Sequence, residues 1–393
     1  MNVLFLSDGI SPYVTGGMQR HTFFVVKWLV KQGVSVMLYH CVEDNTELVT
    51  TKEVVDKMNL SSSEARFLKT ECFYFPKAGK LLGHYIRRSK EYSRILFNHW
   101  SKDQEVYDFV YSKGFCAFEF LRKRKSGLIL PKIGTKLHGL NMFQQSPDFK
   151  YRMQSFMLRP IANYVIRNSD VSFSYGGKIT SDLLKLGVLE EKIIEIPTGI
   201  DKHWVSTESL TQVNGGDKLK FAFVGRYDRV KGLPEIYDAI ELLPMSTKKL
   251  CEINLVGPIP AHKQIMNDQV NFIGAISSES EMKAFLSKQD VLLCTSWSEG
   301  MPNVIIEAMA SGCAIIATDT GAVAELLGPE NGVLIPTPNP ELIKQAILLM
   351  FSLDPAKLLQ MKASSILKVE QKFLWNSIAV KLKNELERAV NLD

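Results

Sequence analysis

The chain has no apolar run long enough to span a bilayer, and its first residues, MNVLFLSDG, are too short and lack the basic prefix of a secretory signal. Six cysteines stand singly among 393 residues, with neither a C-x-x-C pair nor a metal-ligand spacing. Nothing therefore calls for a disulfide framework or a zinc site, and a reducing cytoplasm fits. A G-x-G-x-x-G dinucleotide fingerprint is missing, so a nicotinamide cofactor is not implied. There is no internal repeat and no long low-complexity tract. No recognition module accompanies the positive charge, which argues against nucleic acid as a partner.

What is present is an ordinary globular composition, with 46% apolar and 23% charged residues. At this length the chain can bury two substantial cores. Short apolar runs alternate with helical patterns throughout, predicting α/β architecture with parallel sheets covered on both faces. IPTGID, followed by the polar stretch STESLTQVNGGDKLK, places an inner boundary near 197 to 218, giving domains 1–197 and 198–371. The tail EQKFLWNSIAVKLKNELERAV reads as a helix with Phe373 and Trp375 near its start.

Charge is uneven: residues 1–197 carry 28 Lys and Arg against 19 Asp and Glu. IRRSKEYSR (86–94) and RKRKSG (122–127), with Tyr85, Leu81 and Leu82 nearby, suit either solvated helix faces or contact with an anionic leaflet or acceptor.

The most informative stretch is SWSEGMPNVIIEAMASGCAIIATDTG. VLLC (291–294) suits a buried parallel strand, a polar turn follows, and a helix begins with Pro302 in its first turn and closes at Gly312. Glu299 lies in the turn and Glu307 inside the helix, roughly 12 Å further on by helical rise. The free N–H groups of the 300–303 segment can face a phosphate. Two carboxylates so spaced can accept hydrogen bonds from the sugars at either end of a diphosphate.

Upstream, LKFAFVGRYDRVKGLPEIYDAI reads as strand, turn and helix, with Gly225 at the strand end and Arg226 and Lys231 in the turn. Both cations can point at one anion. At the amino terminus, Gly16 and Gly17 lie between a strand and an amphipathic helix, where they allow positive φ and close backbone approach; a plain tight turn also fits them. His138, in LPKIGTKLHGLNMF, stands where a strand meets a glycine-containing turn and can donate to a sugar hydroxyl or to the main chain.

Taken together, EGMPNVIIE resembles the Glu-x7-Glu signature of retaining glycosyltransferases of the GT-B fold, especially glycosyltransferase family 4 (glycosyl transferases group 1). That resemblance implies two Rossmann-like domains facing a central cleft, with a carboxyl-terminal helix crossing back to the first. It also implies a nucleotide diphosphate sugar, UDP- or GDP-linked, as donor. Glu299 would then hold hydroxyls of the transferred sugar and Glu307 the nucleotide ribose. Arg226 and Lys231 resemble the family's basic pair on the diphosphate, and the backbone of Gly300, Met301, Pro302 and Asn303 lines the same site. Gly16 and Gly17 resemble its Gly-Gly loop beside phosphate and acceptor, and His138 its histidine beside the donor sugar.

Many members carry Glu two positions after the second glycine; here Gln19 stands there, and its role stays open. Thr198 replaces the usual Asn of the Ile-Pro-Asn-Gly-Val-Asp segment. No cofactor and no metal is expected, since the Asp-x-Asp element of other glycosyltransferases is missing. The implied acceptor is a hydroxyl of a glycan or lipid-linked glycan in cell-surface polysaccharide or lipopolysaccharide assembly. The implied location is cytoplasmic, with possible peripheral contact to an anionic membrane. A nucleotide-sugar epimerase or phosphorylase, or a noncatalytic nucleotide-sugar-binding or assembly protein of the same fold, is the alternative.

Overall fold

The structure, a computed structural model, describes residues 1–77, 79, 83–103, 105–207, 210 and 218–391. Leu81, Leu82 and most of the polar stretch expected to hold the inner boundary, at 208, 209 and 211–217, lie outside the described residues.

Strands β1 (Asn2–Leu6), β2 (Ser35–Val42), β3 (Leu68–Tyr74), β4 (Phe109–Lys113), β5 (Lys132–Lys136), β6 (Val171–Ser174) and β7 (Ile193–Glu195) form one sheet. Its order is β3-β2-β1-β4-β5-β6-β7. Strands β8 (Leu219–Val224), β9 (Cys251–Val256), β10 (Val270–Gly274), β11 (Val291–Cys294), β12 (Ala314–Thr318) and β13 (Gly332–Ile335) form a second, ordered β10-β9-β8-β11-β12-β13. Every pairing within both sheets is parallel. A parallel neighbour needs a crossover, and the interleaved helices supply it.

Covering both faces leaves the strands little room for polarity. Val3, Leu4, Phe5 and Leu6 of β1 are fully buried; Val3 and Phe5 join one core cluster, Leu4 and Leu6 another. In the helix Gly17–Lys31 the buried Val25, Val26, Leu29 and Val30 recur at helical spacing, and Gly33 turns the chain out at φ 74°. The strand order reverses beside β1 and again beside β8, so the carboxyl ends of these strands border the openings where α/β sheets take ligands.

Contacts divide the chain into two compact units. One comprises Met1–Phe143, Met153–Pro197 and Trp375–Asp393, the other Gln144–Arg152 and Thr198–Leu374. Gln144–Arg152 groups with the second unit, where the side chains of Gln144 and Tyr151 bond to its loops.

The tail differs from a continuous helix. The helix Pro355–Lys372 stops, Ile200 donates its N–H to the Phe373 carbonyl at 2.8 Å and bridges Leu374, and a new helix runs from Trp375 to Val390. That last helix lies on the first unit, where Trp375 stacks on Phe24 and Lys383 donates to the Gln32 carbonyl. Among the described residues no helix is long and apolar enough to cross a membrane.

The basic clusters are largely spoken for internally. Arg94 pairs with Glu91, Arg122 with Glu119, and Arg124 with Asp170, while Arg88 lies over Phe75 and reaches Glu43.

The second unit also contains a dry ion pair. Lys362, 3% exposed, donates to Asp290 Oδ1 at 3.0 Å, and Asp290 Oδ2 accepts the Lys220 N–H. Removing the cation leaves a buried carboxylate uncompensated, so Lys362→Met is expected to destabilise by about 3–5 kcal/mol. Adding Asp290→Asn should restore much of the loss; urea midpoints of both proteins check this.

Candidate functional site

In the second unit the turn after β8 carries the cations. Asp228 accepts the Val230 N–H at 3.2 Å and starts a short 3-10 helix, Arg229–Lys231. Gly232 follows at φ 70°, and a Cβ there would lie 1.9 Å from the Thr295 carbonyl oxygen, so only glycine lets this turn rest on the chain leaving β11. Thr295 Oγ1 donates back to the Gly232 carbonyl, and the Trp297 N–H donates to the Val230 carbonyl at 2.8 Å. A similar contact lies one strand over. Gly257, after β9, would put a Cβ 1.9 Å from the Gly225 carbonyl oxygen.

These contacts bring Lys231 Nζ to 2.6 Å from Glu299 Oε1. Burial alone would lower the Lys231 pKa, but the Glu299 carboxylate outweighs it and the ammonium is held charged, above its ordinary value. Arg229 is engaged elsewhere, with Glu235 at 2.6 Å, and Trp297 Nε1 donates to the same carboxylate. Arg226 is exposed, and its charge opposes that of Lys231. The loop therefore offers one cation shared with a carboxylate and another facing solvent, which is a receptive arrangement for a polyanion.

Glu299 is 9% exposed and its main chain is held from two directions. Gly321, at φ 56°, would put a Cβ 2.2 Å from the Glu299 carbonyl oxygen and 2.4 Å from that of Gly300; the Ala322 N–H donates to the latter. On the other side Gln144 pairs with the Glu299 peptide as a strand would. Its Nε2 donates to the carbonyl at 2.6 Å and its Oε1 accepts the N–H at 3.1 Å, while Thr320 Oγ1 also donates to Oε1. Seven residues on, the Tyr151 hydroxyl donates to Asp228 Oδ1 at 2.7 Å. One short segment thus braces both the Glu299 loop and the Lys231 turn. Sequence reasoning missed Gln144 and Tyr151, because a glutamine that imitates a peptide group leaves no spacing to read.

The helix after Glu299 spans Asn303–Ala310, one residue later than expected, with Pro302 as its extended cap rather than a first-turn residue. The first-turn N–H groups of a helix have no partner one turn back; here Thr198 donates from its N–H to the Met301 sulfur and from its hydroxyl to the Asn303 side chain. Glu307, 6% exposed, sits within this helix, and Gly312 closes it at φ 78°.

In the first unit the two glycines do not use the left-handed conformation that glycine allows. Gly16 is extended at φ 160°, and Gly17 opens the helix; neither takes the left-handed conformation. The positive φ of this loop belongs to Gly9, at 126°, with the Val14 side chain filling the space of its missing Cβ. Gln19 Nε2 donates to Asp8 at 3.4 Å, and burial raises the Asp8 pKa. His138, just past β5, adopts φ 49°, which is rare for a side-chain-bearing residue, and its Nδ1 lies 3.0 Å from the Tyr175 hydroxyl.

Among the described residues no group of three or more His, Cys, Asp or Glu could hold a metal ion.

Residues 218–352, which hold Arg226, Lys231, Glu299 and Glu307, match the family model for glycosyl transferases group 1. The putative teichuronic acid biosynthesis glycosyltransferase TuaC of Bacillus subtilis is 26% identical over 187 residues, or 46% of this chain and 47% of TuaC. The chain thus spans about half the length of that relative. The uncharacterized glycosyltransferase MJ1069 of Methanocaldococcus jannaschii is 24% identical over 316 residues, 76% of this chain and 79% of its own. The crystal structure of Anabaena HepE in complex with UDP superposes with a TM-score of 0.69 at 17% identity, covering 99% of this chain and 100% of HepE. The architecture is accordingly the GT-B fold.

Glycine substitutions separate the loop that must stay bare from the one that need not. Gly321→Ala is expected to cost about 1–3 kcal/mol as the Glu299 loop is pushed aside. Gly17→Ala, where a Cβ meets open space, should stay within about 0.5 kcal/mol of the parent. Thermal melts of the two proteins compare them directly, and equal midpoints would contradict the packing described.

Proposed function

We propose that the chain is a retaining glycosyltransferase that moves a hexose-type sugar from a UDP- or GDP-linked donor to a hydroxyl of a glycan or lipid-linked acceptor. The observation that carries this reading is the Lys231–Glu299 pair, held on glycine-tightened loops at the carboxyl ends of β8 and β11 within the segment matched to glycosyl transferases group 1. HepE, crystallised with UDP, and TuaC, named for teichuronic acid biosynthesis, lend support to a nucleotide-linked donor and to a polymer pathway.

In this reading Arg226 and Lys231 neutralise the diphosphate, and the Gly300, Met301 and Asn303 N–H groups donate to it beside Pro302, which has none. Glu299 orients the sugar by accepting from its hydroxyls, and Glu307 accepts from the ribose. In the first unit His138 serves the transferred sugar, and Gly16 and Gly17 the phosphate and acceptor. The bond between the anomeric carbon and the phosphate oxygen breaks with its electron pair going to the diphosphate. The acceptor oxygen bonds to the same face, and its proton passes to the departing phosphate, so no side-chain base and no metal is required. Donor charge grows at the atoms nearest Lys231 as the bond breaks, which is where a fixed cation lowers the barrier most.

A panel of UDP- and GDP-sugars, scored by thermal shift and then by donor hydrolysis, tests this. One donor should stabilise the parent, Lys231→Ala and Glu307→Ala should abolish the shift, and Lys231→Ala should lower turnover by roughly 10²–10³-fold. Binding of every donor unchanged by both substitutions would refute the site; binding without turnover would identify a noncatalytic nucleotide-sugar-binding protein.

We extend the proposal to a cytoplasmic location with peripheral contact to an anionic leaflet, for which exposed cations such as Lys90 and Lys125 are available. Co-sedimentation with phosphatidylglycerol vesicles should then fall as salt rises, and salt-independent or absent binding would remove that extension.

A further inference from the structure

The first unit holds a buried cluster of aromatic rings and lysine side chains that the proposed reaction does not use directly. Lys113 and Lys136 end β4 and β5 with fully buried side chains. Lys113 Nζ lies 2.8 Å from His21 Nδ1, and Lys136 Nζ donates to the Ile196 carbonyl at 3.0 Å. Tyr175, the residue after β6, lies among them. Lys136 Nζ stands 3.6 Å from its ring centroid, and the His21 ring meets it edge-on at 5.5 Å. A phenol ring boxed by a lysine amino group on its face and an imidazole at its edge has little freedom to redirect its hydroxyl.

That place is His138 Nδ1, at 3.0 Å. The pairing follows from register: β5 and β6 align Gly134 with Val171 and Thr135 with Ser172, and extending both strands brings the turn of His138 beside Tyr175. Burial pushes the Tyr175 phenol well above its ordinary pKa, so it keeps its proton. Among the described residues its hydroxyl has no other hydrogen-bond partner, so the proton must go to Nδ1 or be buried unsatisfied. A neutral imidazole that accepts at Nδ1 carries its own proton at Nε2.

We propose that Tyr175 is a positioning residue that fixes His138 as the Nε2–H tautomer, so that His138 presents a hydrogen-bond donor to the transferred sugar. The proposal rests on the role assigned to His138 above. The left-handed backbone of His138 sets where the ring sits, and Tyr175 sets which edge carries the proton. Lys136 and His21 act one step further out, by keeping the phenol from turning away.

The test is a long-range ¹H–¹⁵N correlation spectrum of the full chain labelled at histidine, combined with steady-state kinetics. His138 in the parent should be protonated at Nε2, and Tyr175→Phe, which keeps the ring over Lys136, should give a mixture of tautomers. With whichever of UDP-glucose, UDP-galactose and GDP-mannose the parent turns over, Tyr175→Phe should lower kcat about 10–100-fold with donor KM changed less than about twofold. His138→Gln, whose amide Nε2 is also a donor, should retain more activity than His138→Ala. A parent His138 protonated at Nδ1, or a tautomer unmoved by Tyr175→Phe, overturns the inference and leaves the donor site standing. Full activity in His138→Ala removes His138 from the reaction and the inference with it, while the Lys231 and Glu307 binding result still decides the donor site. The parent spectrum alone is decisive if Tyr175→Phe fails to fold.

Discussion

The close approach of main chain to main chain at the carboxyl edge of the second sheet is the constraint from which the candidate site follows. Gly232 against Thr295, Gly257 against Gly225 and Gly321 against Glu299 each leave no room for a side chain. Loops pressed together in this way cannot drift independently, because a carbonyl oxygen on one is the neighbour of an α-carbon on the next. Lys231 and Glu299, 68 positions apart in sequence, therefore meet with little freedom lost on meeting.

The first sheet solves a different problem. It ends two adjacent strands in buried lysines, which water would solvate far better than a protein interior does. Burial lowers the pKa of Lys113 to about 7, with the Asp8 carboxylate partly offsetting it; burial, with the Lys113 charge nearby, also lowers that of Lys136 well below its ordinary value. Histidine, a carbonyl and an aromatic face stand in for the missing water. Such a cluster is stiff, because every member compensates another, and its stiffness is what gives a single tyrosine hydroxyl a defined direction.

Much of this was legible in the sequence. The apolar runs at VLLC and NVLFL, each followed by a polar or glycine-bearing turn and a helical pattern, are strong local signals, and both became strands buried at a sheet centre. Arg226 and Lys231 were readable as candidates because they stand in the turn after β8, and Glu299 and Glu307 because they stand in the turn and helix after β11. Gly16 and Gly17 allow a left-handed backbone that neither of them takes, because glycine permits that conformation without requiring it. Pro302 was misplaced by one residue, since a proline suits the position before a helix as well as the first turn. Gln144, Tyr151 and Tyr175 left no trace, as each acts through contacts with residues far away in sequence, and such contacts have no period.

The chain passes between its two units at 143/144, 152/153, 197/198 and 374/375. Modularity is therefore less than the two separate sheets imply. An exchange of halves with a relative, cut in the usual way after Pro197, would deliver the second sheet without Gln144 and Tyr151 and with a foreign brace in their place. Sequence drift at those two positions is thus tied to drift in the Glu299 and Asp228 loops, and a successful chimera would have to inherit nine residues of one parent inside the half contributed by the other.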